Sequence, residues 1–150
     1  MKINAHSHLL PDPSQIPDFL KKKKLFYIDP DKKFMSQGNW SRPITHPSFF
    51  INDKLKWMKD HKIDYAVILC LSQLYCNGWK KKDAYDAIRF QNDFNASIQE
   101  QYSEKFSCAF VVQPLYISDA LNEIERCVTK LNLKVLCLPT HFISKNGKWI

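Results

Sequence analysis

The chain has 150 residues, of which 45% are hydrophobic and 13% aromatic, and it carries a formal net charge of +7. This length fits one domain or part of one, and the apolar content excludes a disordered chain. No apolar run reaches the length of a membrane span and the first residues lack a signal-peptide pattern, so we expect a cytoplasmic protein without a membrane partner. The basic runs 21–24 and 80–82 accompany no recognition motif, which favours a solvated surface over a nucleic-acid partner.

The first predicted element is a short strand that ends before Pro11 and carries two histidines, His6 and His8. Because side chains alternate across a strand, both imidazoles point to the same side. Neutral imidazole is a good ligand for zinc and similar ions, so the pair forms the first half of a metal site. Two ordinary strand-edge histidines are the alternative, since the H-x-H spacing is short and also arises by chance.

The segment from about 11 to 50 has no regular period and is predicted to be a long insertion loop. A loop of this length is typical of a lid or a binding segment, or is disordered. Its aromatic content indicates an ordered insertion that packs over another part of the chain. The residues concerned are Phe26, Tyr27, Phe34 and Trp40.

Three continuous apolar runs and three amphipathic patterns follow the loop and predict buried strands that alternate with helices. In chain order we expect a helix capped by Asn52 and ending near Lys62, a strand over Asp64–Leu71, a helix from about Asp83 to Tyr102, a strand over Phe106–Val112, a helix capped by Ser118, and a strand over Lys134–Pro139. The last helix is expected to bury an apolar stripe, namely Leu121, Ile124, Val128 and Leu131. This alternation predicts an α/β fold with a parallel sheet and right-handed crossovers.

Five cysteines are present, and no two of them form a C-x-x-C pair. Three of the five lie within apolar or amphipathic runs. We therefore expect small buried thiols in place of a disulfide framework or a zinc ribbon.

The opening residues Ile3–Pro11 resemble the start of the amidohydrolase superfamily, whose first barrel strand ends in H-x-H. The Leu-Pro at its end narrows the resemblance to metal-dependent decarboxylases related to aminocarboxymuconate-semialdehyde decarboxylase. Asn4 stands where many relatives have Asp, which removes a charge but keeps a hydrogen-bonding side chain. Weaker matches follow in the family's order, at Asn92–Ala96, Phe106, Glu123–Val128 and Thr140–His141.

This resemblance implies a TIM (β/α)8 barrel of metal-dependent hydrolase type, of which residues 1–150 supply roughly the first four β/α units. It also implies that His6 and His8 bind a divalent metal, zinc in the first instance, that activates a water molecule. The expected reaction is non-oxidative decarboxylation, or hydrolysis, of a small carboxylated substrate. The family's third His ligand, its Asp and its catalytic His lie on later strands, so we expect the isolated 150-residue chain to be inactive. A homodimer of the full-length protein is compatible with these expectations.

Other candidate site residues come from the same resemblance. The decarboxylase binds a substrate carboxylate with an arginine of the long loop, and counting back from the second strand places that position on Arg42, with a surface arginine as the alternative. His141, at the end of the last predicted strand, and Tyr75, in the loop after the second strand, are candidate pocket residues. His46 and His61 are expected to face solvent.

Two other functions stay open at this point. A metal-dependent nuclease or phosphoesterase can share H-x-H on its first strand and would suit the charge of +7. The chain can also be a non-catalytic fragment, or a half barrel that assembles with a partner. Salt-sensitive DNA cleavage would distinguish the first of these from turnover of a small acid, and metal content with a size measurement would distinguish the second.

Overall fold

The computed structural model of the protein describes residues 1–141, 143 and 148. The strands and α-helices of these residues are, in chain order, β1 (Ile3–Ser7), α1 (Asp18–Lys22), β2 (Tyr27–Ile28), β3 (Phe34–Gln37), β4 (Trp40–Pro43), α2 (Ile51–Asp60), β5 (Tyr65–Ile68), α3 (Lys81–Gln101), β6 (Phe106–Val111), α4 (Ile117–Thr129) and β7 (Val135–Cys137). Three short 3-10 helices lie between them, at Pro13–Gln15, Pro47–Phe49 and Ser72–Leu74. None of the helices described is long and apolar enough to cross a membrane.

The main sheet has four parallel strands in the order β1-β5-β6-β7. Apart from the strands of the 11–50 segment, each strand pairs with the strand that follows it along the chain. The helices between these strands therefore form the crossovers. The predicted α/β fold with a parallel sheet is therefore confirmed. The strands are shorter than the apolar runs that predicted them. For example, β5 ends at Ile68, although the apolar run continues to Leu71.

Two buried apolar clusters lie on opposite faces of this sheet. Along β6, Phe106, Cys108 and Phe110 belong to one cluster, and Ala109 and Val111 to the other, which follows the alternation of side chains in a strand. The first cluster packs under α2, α3 and α4, and the second includes residues of the 11–50 segment. Because β6 is buried on both faces, its sequence is apolar at every position except Ser107.

Four amide side chains of α3 form hydrogen bonds with backbone groups of β6 and of Leu71, just after β5, in place of a partner from a neighbouring strand. The side-chain oxygens of Asn92, Gln91 and Gln99 accept hydrogen bonds from the backbone N–H groups of Val111, Leu71 and Cys108, at 2.9, 2.8 and 2.9 Å. Asn95 donates to the carbonyl oxygen of Ala109 at 2.7 Å. The Asn92–Ala96 motif thus has a structural role, because an unpaired buried backbone group is costly.

The 11–50 segment contains a small antiparallel sheet, β2-β3-β4, that the sequence did not predict. Its strands have two to four residues each, too few to show a period of two. Phe26 is fully buried, whereas Tyr27, Phe34 and Trp40 are 37%, 47% and 43% exposed. The aromatic residues therefore contribute to the core of the segment at one position and to its surface at three.

The predicted helix caps are wrong at both positions. α2 begins at Ile51 after Phe50, and α4 begins at Ile117 after Tyr116, so Asn52 and Ser118 lie inside the first turns. Within the described residues neither helix start has a side-chain capping bond. The first turns close through the backbone instead, where Lys54 N–H and Ala120 N–H donate to the carbonyls of Phe50 and Tyr116.

The predicted buried stripe of α4 is wrong at two of its four positions, whereas Ile124 and Leu131 are partly buried and pack against the apolar cluster that contains Phe106. Leu121 and Val128 are 61% and 48% exposed, while Ala120, Glu123 and Cys127 are buried. The helix is rotated because Glu123 turns inward: its carboxylate accepts hydrogen bonds from Asn92 at 2.8 Å and from Arg126 at 2.6 and 2.9 Å. The need of the buried Glu123 carboxylate for these partners overrides the apolar periodicity of α4, since a buried carboxylate without a partner would cost much free energy of folding.

Candidate metal site

His6 and His8 converge at the carboxyl end of β1. Their Nε2 atoms are 3.1 Å apart and their rings meet edge to face, with centroids 5.0 Å apart. The side-chain oxygen of Asn4 accepts a hydrogen bond from the backbone N–H of His6 at 3.1 Å. This contact fixes the strand where its pairing with β5 is irregular, between Asn4 and Ser7.

The environment of His8 selects one form of its imidazole. Nδ1 lies 3.1 Å from the carbonyl oxygen of Leu69, which can only accept, so Nδ1 carries the proton. Burial lowers the pKa of His8, the Leu69 carbonyl opposes this shift, and the charges of His6, Lys54 and Arg42 lower the pKa further. Neutral His8 therefore presents an unprotonated Nε2 toward His6.

The imidazole pair has the spacing that a shared metal requires. Two nitrogens that both bind one zinc ion at about 2.0–2.1 Å lie about 3 Å apart, which agrees with the arrangement of His6 and His8. Within residues 1–141, 143 and 148, no group of three or more His, Cys, Asp or Glu side chains is placed to hold a metal ion. The described residues thus supply two ligands, where a protein zinc site has three or four.

Lys54 lies buried behind the imidazole pair, a position that the sequence did not predict. Its side chain is 4% exposed, and Nζ donates to the hydroxyl of Ser7, between the two histidines, at 2.6 Å. Nζ also lies 5.5 Å from the centre of the Trp57 ring. Burial lowers the pKa of Lys54 to about 8. Its spacing of four from Met58, on the buried face of α2, is the signal that could have revealed it.

Replacing Lys54 by Met is expected to remove a pH dependence of stability. Below pH 8 both states hold the proton, and burial penalises the charged amine only in the folded state. From about pH 8 to 10.5 the unfolded chain binds a proton that the folded chain has released, so the free energy of unfolding rises with pH, by up to about 3 kcal/mol. Urea denaturation across this range measures the rise. The exposed Lys56→Met variant should retain it, and its persistence in Lys54→Met would contradict the assignment.

Arg42 is an exposed residue of β4. Its register partner in β3 is Met35, and its positive charge is close enough to His8 to lower the pKa of that imidazole. The ion pairs formed by the described residues do not include Arg42. A guanidinium without a carboxylate partner is available to bind an anion.

The remaining candidate residues are distributed around the sheet. Tyr75 is partly buried, and burial together with neighbouring Cys137 raises its pKa to about 12. His141 is exposed, with Nδ1 3.0 Å from the Thr140 hydroxyl, and the described residues show no contact between it and the imidazole pair. His46 and His61 are exposed, as expected, and both rings contact Trp57.

Comparison with known proteins identifies the fold. No protein-family model and no curated protein sequence matches the chain. The structure is similar to 2,6-dihydroxybenzoate decarboxylase from Rhizobium, with a TM-score of 0.64 and 17% identity over 98% of this chain and 41% of that one. It is also similar to 5-carboxyvanillate decarboxylase from Sphingomonas paucimobilis, with a TM-score of 0.64 and 16% identity over 94% of this chain and 42% of that one.

A third similar structure is a dihydroxybenzoic acid decarboxylase from Polaromonas sp. JS666, with bound manganese and the inhibitor 2-nitroresorcinol. Its TM-score is 0.64 at 14% identity, over 97% of this chain and 40% of that one. The chain has the fold of part of a TIM barrel. It spans about two fifths of the length of these three decarboxylases. Their similarity to the chain confirms the predicted barrel fold, of which the chain supplies part.

Proposed function

We propose that the chain is the N-terminal part of a metal-dependent decarboxylase or hydrolase of the amidohydrolase superfamily. In this proposal residues 1–150 form one portion of a single barrel domain, with the 11–50 segment as an insertion. The observation that carries the proposal is the pair of imidazoles, 3.1 Å apart at the carboxyl end of β1. In barrels of this type the carboxyl ends of the strands carry the active site.

Two residues of the chain would hold the metal, and a third would bind the substrate. His6 and His8 would hold a divalent ion through Nε2, and the Leu69 carbonyl would keep His8 in the tautomer that this requires. When bound, such an ion polarises substrate oxygens and lowers the pKa of a water molecule to about 7. Zinc and manganese are both candidates, because imidazole suits zinc and the Polaromonas structure contains manganese.

The substrate in this proposal is an aromatic carboxylic acid that carries a hydroxyl group. The similar structures bear the names of enzymes for dihydroxybenzoates and 5-carboxyvanillate. A carboxylate next to the site needs a cation, and Arg42 supplies one that forms no ion pair with a carboxylate of the described residues. Loss of CO2 from such an acid needs no external oxidant.

Release of CO2 tests the proposed activity. The full-length protein, loaded with zinc or with manganese, is mixed with 2,6-dihydroxybenzoate, and CO2 and resorcinol are measured. Metal-dependent turnover, absent without added metal, would support the proposal. Turnover of a phosphodiester or of DNA with no loss of CO2 from a panel of phenolic acids would overturn it in favour of the phosphoesterase.

Replacing Arg42 by Ala is expected to lower kcat/KM by about a hundredfold or more and to leave the metal content unchanged. A charge-assisted hydrogen bond contributes about 1.5–3 kcal/mol, and a guanidinium forms two with a carboxylate. Arg42→Lys should recover only part of the lost kcat/KM, since lysine restores the positive charge but not the two parallel hydrogen bonds of a guanidinium. Steady-state kinetics measure the effect, with the exposed Lys59→Ala variant as control. Wild-type kcat/KM in Arg42→Ala would make Arg42 a surface residue.

A further inference from the structure

The small sheet β2-β3-β4 packs with one face over the carboxyl ends of β1 and β5. On that face Ile28 and Met35, which are register partners, are buried in the apolar cluster that also contains Leu10 and Leu71. Leu10 follows β1 in the chain, and Leu71 follows β5. The small sheet therefore covers the end of the main sheet that carries the imidazole pair.

A hydrogen bond from Gln37 holds the same face against the loop after β5. Met35 and Gln37 are two residues apart in β3, so their side chains lie on one side of the strand. Nε2 of Gln37 donates to the carbonyl oxygen of Gln73 at 2.6 Å. Gln73 lies in the same loop as Leu69, whose carbonyl oxygen is 3.1 Å from Nδ1 of His8. One loop thus contacts both the small sheet and the candidate metal site.

Trp40 and Arg42, both in β4, belong to this face as well. Trp40 lies opposite Gln37 in the ladder, and Arg42 lies opposite Met35. Side chains that lie opposite each other in a ladder extend from the same side of the sheet. Trp40 is 43% exposed, and the ring and cation contacts of the described residues do not include its indole. The outer strand thus presents an indole beside a guanidinium on the face that covers the site.

The spacing of these two side chains suits an aromatic carboxylate. Residues two apart in a strand have Cα atoms about 6.5–7 Å apart, which is close to the length of a benzoic acid molecule. A guanidinium that binds the carboxylate through two parallel hydrogen bonds also restricts its orientation. The attached ring can then lie against the indole, in the offset or edge-to-face arrangement that aromatic pairs prefer. A saturated ring of the same size has no π-system and gains less from this contact.

We propose that Trp40 binds the aromatic ring of the acid whose carboxylate Arg42 binds, and that it makes the site selective for aromatic over saturated acids. The inference rests on the proposed function, because it takes the carboxyl end of the sheet as the substrate site. It assigns the recognition of the ring to the 11–50 segment, while the metal is held by β1. The selection therefore acts on substrate binding and is separable from loss of CO2.

Isothermal titration calorimetry with benzoate and cyclohexanecarboxylate tests the proposal on the metal-loaded, full-length protein. The two acids carry the same charge and differ in whether the ring is aromatic. The unchanged protein should bind benzoate about two- to tenfold more tightly, because an aromatic pair contributes beyond the area that it buries. In Trp40→Ala the ratio of the two Kd values should approach one, and Trp40→Phe should keep most of the preference. The metal content of both variants should be unchanged.

Matched variants separate this role from a general effect on the small sheet. Phe34 alternates with Met35 in β3, so Phe34→Ala removes a ring of similar exposure, 47%, from the opposite face. This variant should leave both Kd values unchanged, whereas Arg42→Ala should weaken the binding of both acids.

Two results would overturn the proposal. The first is an unchanged protein that binds benzoate no more tightly than cyclohexanecarboxylate, and the second is a preference that persists in Trp40→Ala. If CO2 is released from phenolic acids and the preference persists, the proposed function stands and the role of Trp40 fails. If Trp40→Ala abolishes the preference although no acid loses CO2, Trp40 binds the ring and the proposed decarboxylase activity fails.

Discussion

The double variant His6→Ala, His8→Ala of the full-length protein is expected to contain no bound divalent metal. Removal of a single group that orients a ligand typically costs 10–100-fold in metal affinity, and this variant removes two ligands outright. Metal analysis after dialysis, with circular dichroism to confirm folding, measures the result. The isolated 150-residue chain should bind metal only weakly, because its described residues provide two ligands in place of three or four.

A matched control is available in the same chain. The double variant His46→Ala, His61→Ala removes two exposed imidazoles whose rings contact Trp57 and not the proposed site. Its metal content should equal that of the unchanged protein. If the variant at His6 and His8 keeps its metal, these residues are ordinary strand-edge histidines and the proposed function loses its main support.

The variant Asn92→Leu is expected to lose about 3–5 kcal/mol of the free energy of unfolding. Asn92 is fully buried, donates to the Val111 carbonyl at 3.0 Å and to Glu123 at 2.8 Å, and accepts from the Val111 N–H at 2.9 Å. Leucine leaves those groups buried without this partner, at about 1–3 kcal/mol each. Because domains are stable by only about 5–15 kcal/mol, the variant would be close to unfolding.

Urea denaturation of the two proteins measures this difference. The exposed Asn122→Leu variant on α4 makes the same chemical change at the surface, and its stability should stay within about 0.5 kcal/mol of the unchanged protein. A loss below about 1 kcal/mol in Asn92→Leu would mean that water or a rearranged Glu123 satisfies the abandoned groups.

The parallel sheet could be predicted from the sequence because its signals are local. Runs such as Phe106–Val112 are apolar at every position but Ser107, which is the pattern of a strand buried on both faces. The convergence of His6 and His8 also follows from local geometry, since a strand places positions two apart on one side. The order β1-β5-β6-β7 then follows from short connections and a single crossover hand.

The features that the sequence did not predict depend on contacts between distant residues. Glu123 lies on the buried face of α4 because Asn92 and Arg126 form hydrogen bonds with its carboxylate. The pattern of apolar residues in the helix does not indicate this pairing. The burial of Lys54 depends on the Ser7 hydroxyl, 47 residues away, which accepts a hydrogen bond from its amine.

The amide side chains of α3 link the opening of the sheet to the movement of one helix. The backbone N–H groups of Leu71, Cys108 and Val111 each donate a hydrogen bond to a side chain of α3 and not to a neighbouring strand. Their hydrogens can exchange with deuterium when the helix lifts, even while the strands stay paired. Exchange at these three positions therefore follows the undocking of α3, whereas exchange within the ladder between β5 and β6 follows separation of the strands.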